Sequence, residues 1–183
     1  AGFSGNGDNT APNLTQVTAI TTPSNNTIPS YVFTTDEAGT ISTSISQGFS
    51  TSSSASTGSD QTIIFNTLPE GTYSDETITV TDTAGNPGSI TIPDFVIDTT
   101  APLITVTSGT DTVERLSSWT DAGATSDTGE TVTSSGTVDT TTVGTYTITY
   151  NVTDSSNNAA TAVTRTVTVE DTTAPLITVT SGT

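Results

Sequence analysis

Hydrophobic and polar residues alternate along much of this chain, and no segment sustains the apolar period of a helix. Alternation sends successive side chains to opposite faces of a strand, whereas an amphipathic helix returns its apolar residues every three to four positions. The clearest case is Tyr146, Ile148, Tyr150 and Val152, which face one way while Thr147, Thr149 and Asn151 face the other. In the last long run Val163, Val167 and Val169 alternate with Thr164, Thr166 and Thr168. Arg165 interrupts that apolar set and is expected where the strand nears the rim of the sheet. The pattern predicts strands at 13–19, 31–34, 40–46, 62–66, 73–81 and 89–97, then at 103–107, 112–116, 131–134, 144–153 and 162–169. The Ser-rich stretch 42–59 reads as a loop with one weak strand. Half-buried antiparallel strands with short polar turns and no crossover helix make an all-β, two-sheet sandwich of Greek-key type.

Repetition divides the strands into modules. The thirteen residues 98–110, Asp-Thr-Thr-Ala-Pro-Leu-Ile-Thr-Val-Thr-Ser-Gly-Thr, return unchanged at 171–183, and Asp8-Asn9-Thr10-Ala11-Pro12 is a looser copy near the start. Gly71-Thr72-Tyr73 returns as Gly144-Thr145-Tyr146. Each copy runs into an alternating strand, a polar turn (82–86 or 154–158), one more strand and then the next Asp-Thr-Thr-Ala-Pro. The boundaries that follow are a linker at 1–7, one module at 8–98, a second at 99–171, and the opening strand of a third at 172–183. Gly-Thr-Tyr at the head of the penultimate strand fits a tyrosine corner, the phenol bonding nearby backbone where an immunoglobulin-like sandwich turns. Trp119, the single tryptophan, is expected in the core or capping it.

Composition narrows the partners. Among 183 residues there are 19 acids and two bases, Arg115 and Arg165, for a formal net charge of −17, with no histidine, lysine, cysteine or methionine. Two arginines cannot displace the counterions of a nucleic acid, nor hold an anionic membrane surface. No run approaches the roughly 20 apolar residues of a spanning helix, so direct membrane insertion is not expected. Without His, Lys or Cys there is no ordinary base or thiol nucleophile, and an enzyme is not expected. The chain opens Ala-Gly-Phe-Ser and reads as a processed product or a part of something larger. A Lys–Asn cross-link is excluded, and a Thr–Gln ester through Gln16, Gln47 or Gln61 has no histidine to assist it. Asn13, Asn25 and Asn151 head glycosylation sequons, which such a Thr-rich chain produces readily.

The second module resembles the bacterial Ig-like repeats of large surface proteins and of some secreted toxins and enzymes. The resemblance rests on Asp98-Thr-Thr-Ala-Pro-Leu-Ile-Thr, Trp119-Thr-Asp-Ala-Gly-Ala124, Thr137-Val-Asp-Thr140, Gly144-Thr-Tyr-Thr-Ile-Thr-Tyr150 and Val152-Thr-Asp154, spread over the whole module. The first module is similar to a related type through Thr35-Asp-Glu-Ala-Gly-Thr-Ile41, Leu68-Pro-Glu-Gly-Thr-Tyr73 and the segment 78–86. Some relatives of that type carry a Cys pair that is absent here. The resemblance implies an extracellular stalk or adhesin array, often rigidified by calcium at the junctions.

In an Ig topology the linker acid starts at the same end as the loop between the last two strands and the loop after the second. That gathers Asp8, Asp36, Glu37, Asp82 and Asn86 in the first module, and Asp98, Asp127, Asp154 and Asn158 in the second, with Asp171 opening the next. Carboxylates, an amide carbonyl and turn backbone are the hard oxygen ligands of Ca2+. The bland account is that Asp and Asn sit in turns for local reasons. Zinc and copper fit poorly without Cys or His. The leading expectation is a structural spacer in an adhesin stalk, surface layer or filament. A carbohydrate- or protein-binding module, and an accessory region of a secreted enzyme or toxin, stand as alternatives. The expected partners are neighbouring Ig-like repeats of the same or another copy, including through β-strand addition by the terminal strand.

Overall fold

Threonine, valine and isoleucine restrict the backbone toward the pleated region, and a computed structural model, which describes residues 7–179, contains strands and turns but no helix among them. Contacts divide the chain into two compact units: the first runs to Thr100 and includes Ser155–Asn157, and the second takes Ala101–Asp154 and the residues from Asn158. Both are Ig-like β-sandwiches. Residues 1–6 of the expected linker and 180–183 of the expected terminal strand lie outside the described residues.

In the first unit β1 (Leu14–Thr18), β2 (Ser30–Thr35) and β5 (Gln61–Ile64) form one sheet in the order β1-β2-β5. Opposite it lies β4-β3-β7-β8, made of β3 (Gly39–Thr43), β4 (Ser54–Ala55), β7 (Thr77–Thr81) and β8 (Pro87–Thr91). The short pair β6 (Gly71–Tyr73) and β9 (Phe95–Ile97) completes it. The alternation predicts single strands at 73–81 and 89–97, and each is interrupted. Asp75 takes a positive φ of 59°, and Pro93 has no N–H for a ladder. Tyr31, Phe33, Ile63, Phe65, Ile78, Val80, Phe95 and Ile97 fill one core, each at most 1% exposed. Burying such side chains contributes about 1.5–3 kcal/mol apiece, which offsets the ordering of a loop-rich chain.

The second unit pairs β10 (Ile104–Val106) with β12 (Ala124–Ser126), and orders β11 (Thr112–Glu114), β13 (Thr133–Ser135), β14 (Gly144–Asn151) and β15 (Val163–Glu170) as β11-β15-β14-β13. The ladders are antiparallel except that β11 lies parallel to β15, Val113 opposite Val169. Strand β12 has no counterpart in the predicted set, because Ala-Thr-Ser carries no apolar alternation. Pairing with β10 makes it a strand. Ile104, Ile148, Tyr150 and Val152 form one buried cluster and Val113, Val167 and Val169 another. Trp119 packs against both clusters and donates Nε1–H to the Thr110 carbonyl at 2.8 Å, the expected position for a cap on the core.

Both units carry the tyrosine corner. Tyr73 donates to the Pro69 carbonyl at 2.9 Å and Tyr146 to the Thr142 carbonyl at 2.8 Å, four residues back in each case. The expected terminal strand forms no ladder over its described part: residues 171–179 carry no strand, and Leu176, Ile177 and Val179 are exposed. Extended backbone becomes a strand only when another pairs with it.

Arg165 departs from the expectation. It is not at the rim: it points inward among the β15 valines, opposite Ile148, and is 4% exposed. Its Nε donates to the Tyr150 hydroxyl at 3.2 Å and lies 3.4 Å from Asp121 Oδ1, Nη1 donates to Asp111 Oδ1 at 2.8 Å, and Nη2 donates to the Thr107 carbonyl. Tyr150 in turn donates to Asp121 Oδ1 at 2.6 Å. Partners from three separate segments make the buried cation tolerable. Gly109 belongs to the same device, since a Cβ there would stand 2.7 Å from Arg165 Nη1. Replacing the cation in Arg165→Met leaves the Asp121–Tyr150 pair without its positive partner. Asp111 stays 61% exposed and can rehydrate, so the expected loss is about 2–3 kcal/mol. Urea unfolding followed by Trp119 fluorescence reads it, because the only tryptophan lies in this unit. A midpoint unchanged from wild type contradicts the account.

Candidate metal centre

The turn between β7 and β8 is built by one carboxylate. Asp82 Oδ1 accepts from the backbone N–H of Ala84 and of Asn86, both at 2.8 Å, and Oδ2 accepts from Asn86 Nδ2 at 2.7 Å. The backbone closes the same turn, Asp82 N–H donating to the Asn86 carbonyl at 3.1 Å. These donors, the Asn86 side chain foremost, hold the Asp82 carboxyl below the usual aspartate range. Asn86 Nδ2 also donates to the Asp8 carbonyl at 3.0 Å, tying the leading segment to the turn. Gly88 lets that segment approach: a Cβ there would collide with the Pro12 carbonyl oxygen at 1.7 Å.

The loop after β2 arrives from the other side. Asn13 N–H donates to Asp36 Oδ1 at 2.7 Å and Asp36 N–H returns a bond to the Asn13 carbonyl at 3.3 Å. This exchange fixes the next residue, Glu37, whose carbonyl also accepts the Thr35 hydroxyl at 2.9 Å. Asp8, Glu37 and Asp82 thereby bring carboxylate oxygens within 4.8 Å of one another. Asp8 is exposed, Glu37 and Asp82 half-buried. Glu37 Oε2 is buried with no hydrogen-bond partner. Burial first, then the charges of Asp8, Asp36 and Asp82, push the Glu37 carboxyl above the usual glutamate range. The acids that the topology gathers thus divide into two kinds. Asp36 and Asn86 are committed to backbone and turn, while Glu37 keeps one oxygen unsatisfied and stands among other negative charges.

The second unit repeats the wiring with one substitution. Leu103 N–H donates to Asp127 Oδ1 at 2.8 Å and Asp127 N–H to the Leu103 carbonyl at 3.1 Å. Asn158 donates its N–H to Asp154 Oδ1 at 2.8 Å and Nδ2–H to Oδ2 at 2.9 Å. Thr128 follows Asp127, where Glu37 follows Asp36. The acid whose charge meets that of Asp154 is Glu130. It accepts the hydroxyls of Thr128 and of Ser126, the latter at 2.7 Å, and these lower its pKa. Asp98 belongs to the first unit, its Oδ1 accepting Thr100 N–H at 3.0 Å. Asp171 pairs with Arg115 Nη1 at 3.3 Å. Among the described residues the acids come together in threes at Asp8, Glu37 and Asp82. The roles of Glu130 and of Glu70 and Glu114, which bond the linkers, were not legible: the partners of Glu70 and Glu114 lie 29 and 58 residues along the chain, and the hydroxyl bonds of Glu130 depend on how its loop folds.

Residues 98–169 match the family model described as a bacterial surface protein, Ig-like domain. Among curated proteins none matches the sequence. The match covers the second module, as its sequence resemblance implies, and begins where the first module ends.

The Glu37 carboxyl makes a pH signature in metal-free solution. Its folded pKa lies above the unfolded one, so the folded state holds the proton longer, and stability falls as pH rises through that interval. Asp82 acts oppositely, its contribution present at neutral pH and lost as pH falls. With chelator present, Glu37→Gln and wild type are expected to melt together near about pH 4, the variant becoming the more stable by about pH 7. Parallel curves across that range contradict the assignment.

Proposed function

We propose that this chain is a non-catalytic stretch of tandem Ig-like modules from an extracellular surface protein, serving as a spacer in an adhesin stalk, surface layer or filament. The first module in this reading binds calcium through Asp8, Glu37 and Asp82. The observation that carries the metal is the buried, unpartnered Glu37 Oε2 beside two further carboxylates within 4.8 Å. A hard divalent cation supplies positive charge to the cluster, and both arginines are engaged with acids of the second unit. Carboxylate oxygens are what Ca2+ takes, and extracellular modules hold it with dissociation constants of roughly 10⁻⁴–10⁻³ M. Bound there, the ion links the leading segment, the loop after β2 and the β7–β8 turn, pieces of chain already joined by the Asn13–Asp36 exchange and the Asn86–Asp8 bond.

The surface-protein reading rests on the family match of the second module and on the sandwich that both units share. The absence of His, Lys and Cys supports a role without catalysis. Neighbouring repeats are the partners in this reading. Residues 174–179 repeat the sequence of 101–106, within which β10 pairs with β12. They expose Leu176, Ile177 and Val179 for strand addition to a like module.

Thermal unfolding in millimolar calcium and in chelator tests the metal. Calcium is expected to raise the melting temperature of the first unit by roughly 5 °C, while the Trp119 signal of the second unit stays where it was. Glu37→Gln and Asp82→Asn are each expected to abolish the shift. A calcium response that persists in both variants places the ion elsewhere, and none in wild type removes it.

A further inference from the structure

The Thr-Thr pair that opens each later repeat is gripped by a glutamate of the module before it. At the first linker Glu70 Oε2 accepts Thr99 N–H at 3.1 Å, the Thr99 hydroxyl at 2.8 Å and the Thr100 hydroxyl at 2.9 Å. The Thr100 hydroxyl also lies 3.0 Å from Oε1. At the second, Glu114 Oε1 accepts Thr172 N–H at 2.9 Å, Thr173 N–H at 3.2 Å and the Thr173 hydroxyl at 3.0 Å. Its Oε2 accepts the Thr172 hydroxyl at 2.7 Å. The two acids share no sequence context: Glu70 stands in the Leu68-Pro69-Glu70-Gly71 loop before β6, and Glu114 is the last residue of β11. Two unrelated positions have thus arrived at one arrangement, with both oxygens engaged and both threonines held.

We infer that Glu70 and Glu114 are linker catches: each fastens the first two threonines of the next repeat to its own module, so that the chain leaves that module in a set direction without a metal. Hydrogen bonds to an ionised carboxylate are shorter and stronger than neutral ones, and three donors at Glu70 and four at Glu114 restrain two consecutive residues. The hydroxyls matter as well as the backbone. A residue without one keeps the N–H bonds and loses the others, which gives a physical reason for threonine at both positions in each copy. Arg115, beside Glu114, adds its ion pair to Asp171, so the second catch grips three consecutive residues.

Amide hydrogen exchange in chelator tests the catches separately from calcium, whose failure to bind leaves this experiment unchanged. In Glu70→Ala the Thr99 amide is expected to exchange about tenfold faster, with Thr172 and Thr173 as in wild type. Glu114→Ala reverses the pattern. Glu70 is exposed, so its removal leaves the core intact and the amides of β7 keep their protection. The Thr99→Val, Thr100→Val double variant retains the Thr99 N–H bond and is expected to fall between. Wild-type exchange at Thr99 in Glu70→Ala overturns the catch. So does faster exchange that spreads to β7, since the glutamate then acts through the fold and not on the linker.

Discussion

Two guanidinium groups face nineteen carboxylates in this chain, and the structure depends on how the acids are held without cations. The donors are N–H and O–H groups. Asp82 and Asp154 close turns on backbone amides and an asparagine side chain. Asp139 takes the hydroxyls of Thr141 and Thr142. Glu130, Glu70 and Glu114 take threonine hydroxyls in the same way. Threonine therefore serves twice, its branched Cβ favouring the pleated backbone and its hydroxyl solvating an acid that no base can reach. A carboxylate bonded by several donors stays ionised and bound, which lets the chain be strongly acidic and still have ordered turns.

Seen through that constraint, the two units are one wiring diagram with a single informative difference. The Asp36–Asn13 exchange matches Asp127–Leu103, the Asp82–Asn86 turn matches Asp154–Asn158, and both tyrosine corners reach back four residues. At the position after the reciprocal aspartate one unit has Thr128 and the other Glu37. Thr128 supplies a donor to Glu130. Glu37 supplies a further negative charge with one oxygen unpartnered. The same scaffold thus gives this acid its donors in one copy and leaves a carboxylate oxygen unpartnered in the other.

Much of the fold was legible because alternation is a local signal. Strands β2, β5, β14 and β15 fall within two residues of where the pattern puts them, and the repeated Gly-Thr-Tyr announced the corners. What the pattern missed depends on distant chain. Ala-Thr-Ser becomes β12 only through β10, and the runs 73–81 and 89–97 break where Asp75 and Pro93 interrupt the ladder. Arg165 reads as a rim residue because a charge in an apolar register usually escapes to water. Here Asp111, Asp121, Tyr150 and Thr107 converge on it instead. For the candidate site, topology gathers Asp8, Glu37 and Asp82 from the sequence alone. Which oxygen would be left unpartnered depends on packing that no residue pattern records.

Distance decides which acids care about a specific ion. At physiological ionic strength the screening length is about 8 Å, so repulsion between widely spaced surface carboxylates is relieved by ordinary salt. The oxygens of Asp8, Glu37 and Asp82 lie within 4.8 Å of one another, inside that length, where diffuse counterions are least effective. Only a proton or a directly coordinated cation removes repulsion at such range. Glu37 already shows the first response, its carboxyl displaced toward the protonated form. A cation that enters competes with that proton, so affinity for it rises with pH over the interval in which Glu37 ionises. The linker catches have no such competition, because their carboxylates are satisfied by donors and sit below the ordinary glutamate range. The molecule therefore treats its acids in two ways: threonine donors satisfy Glu70 and Glu114, while Asp8, Glu37 and Asp82 stand close together with one carboxylate oxygen unpartnered.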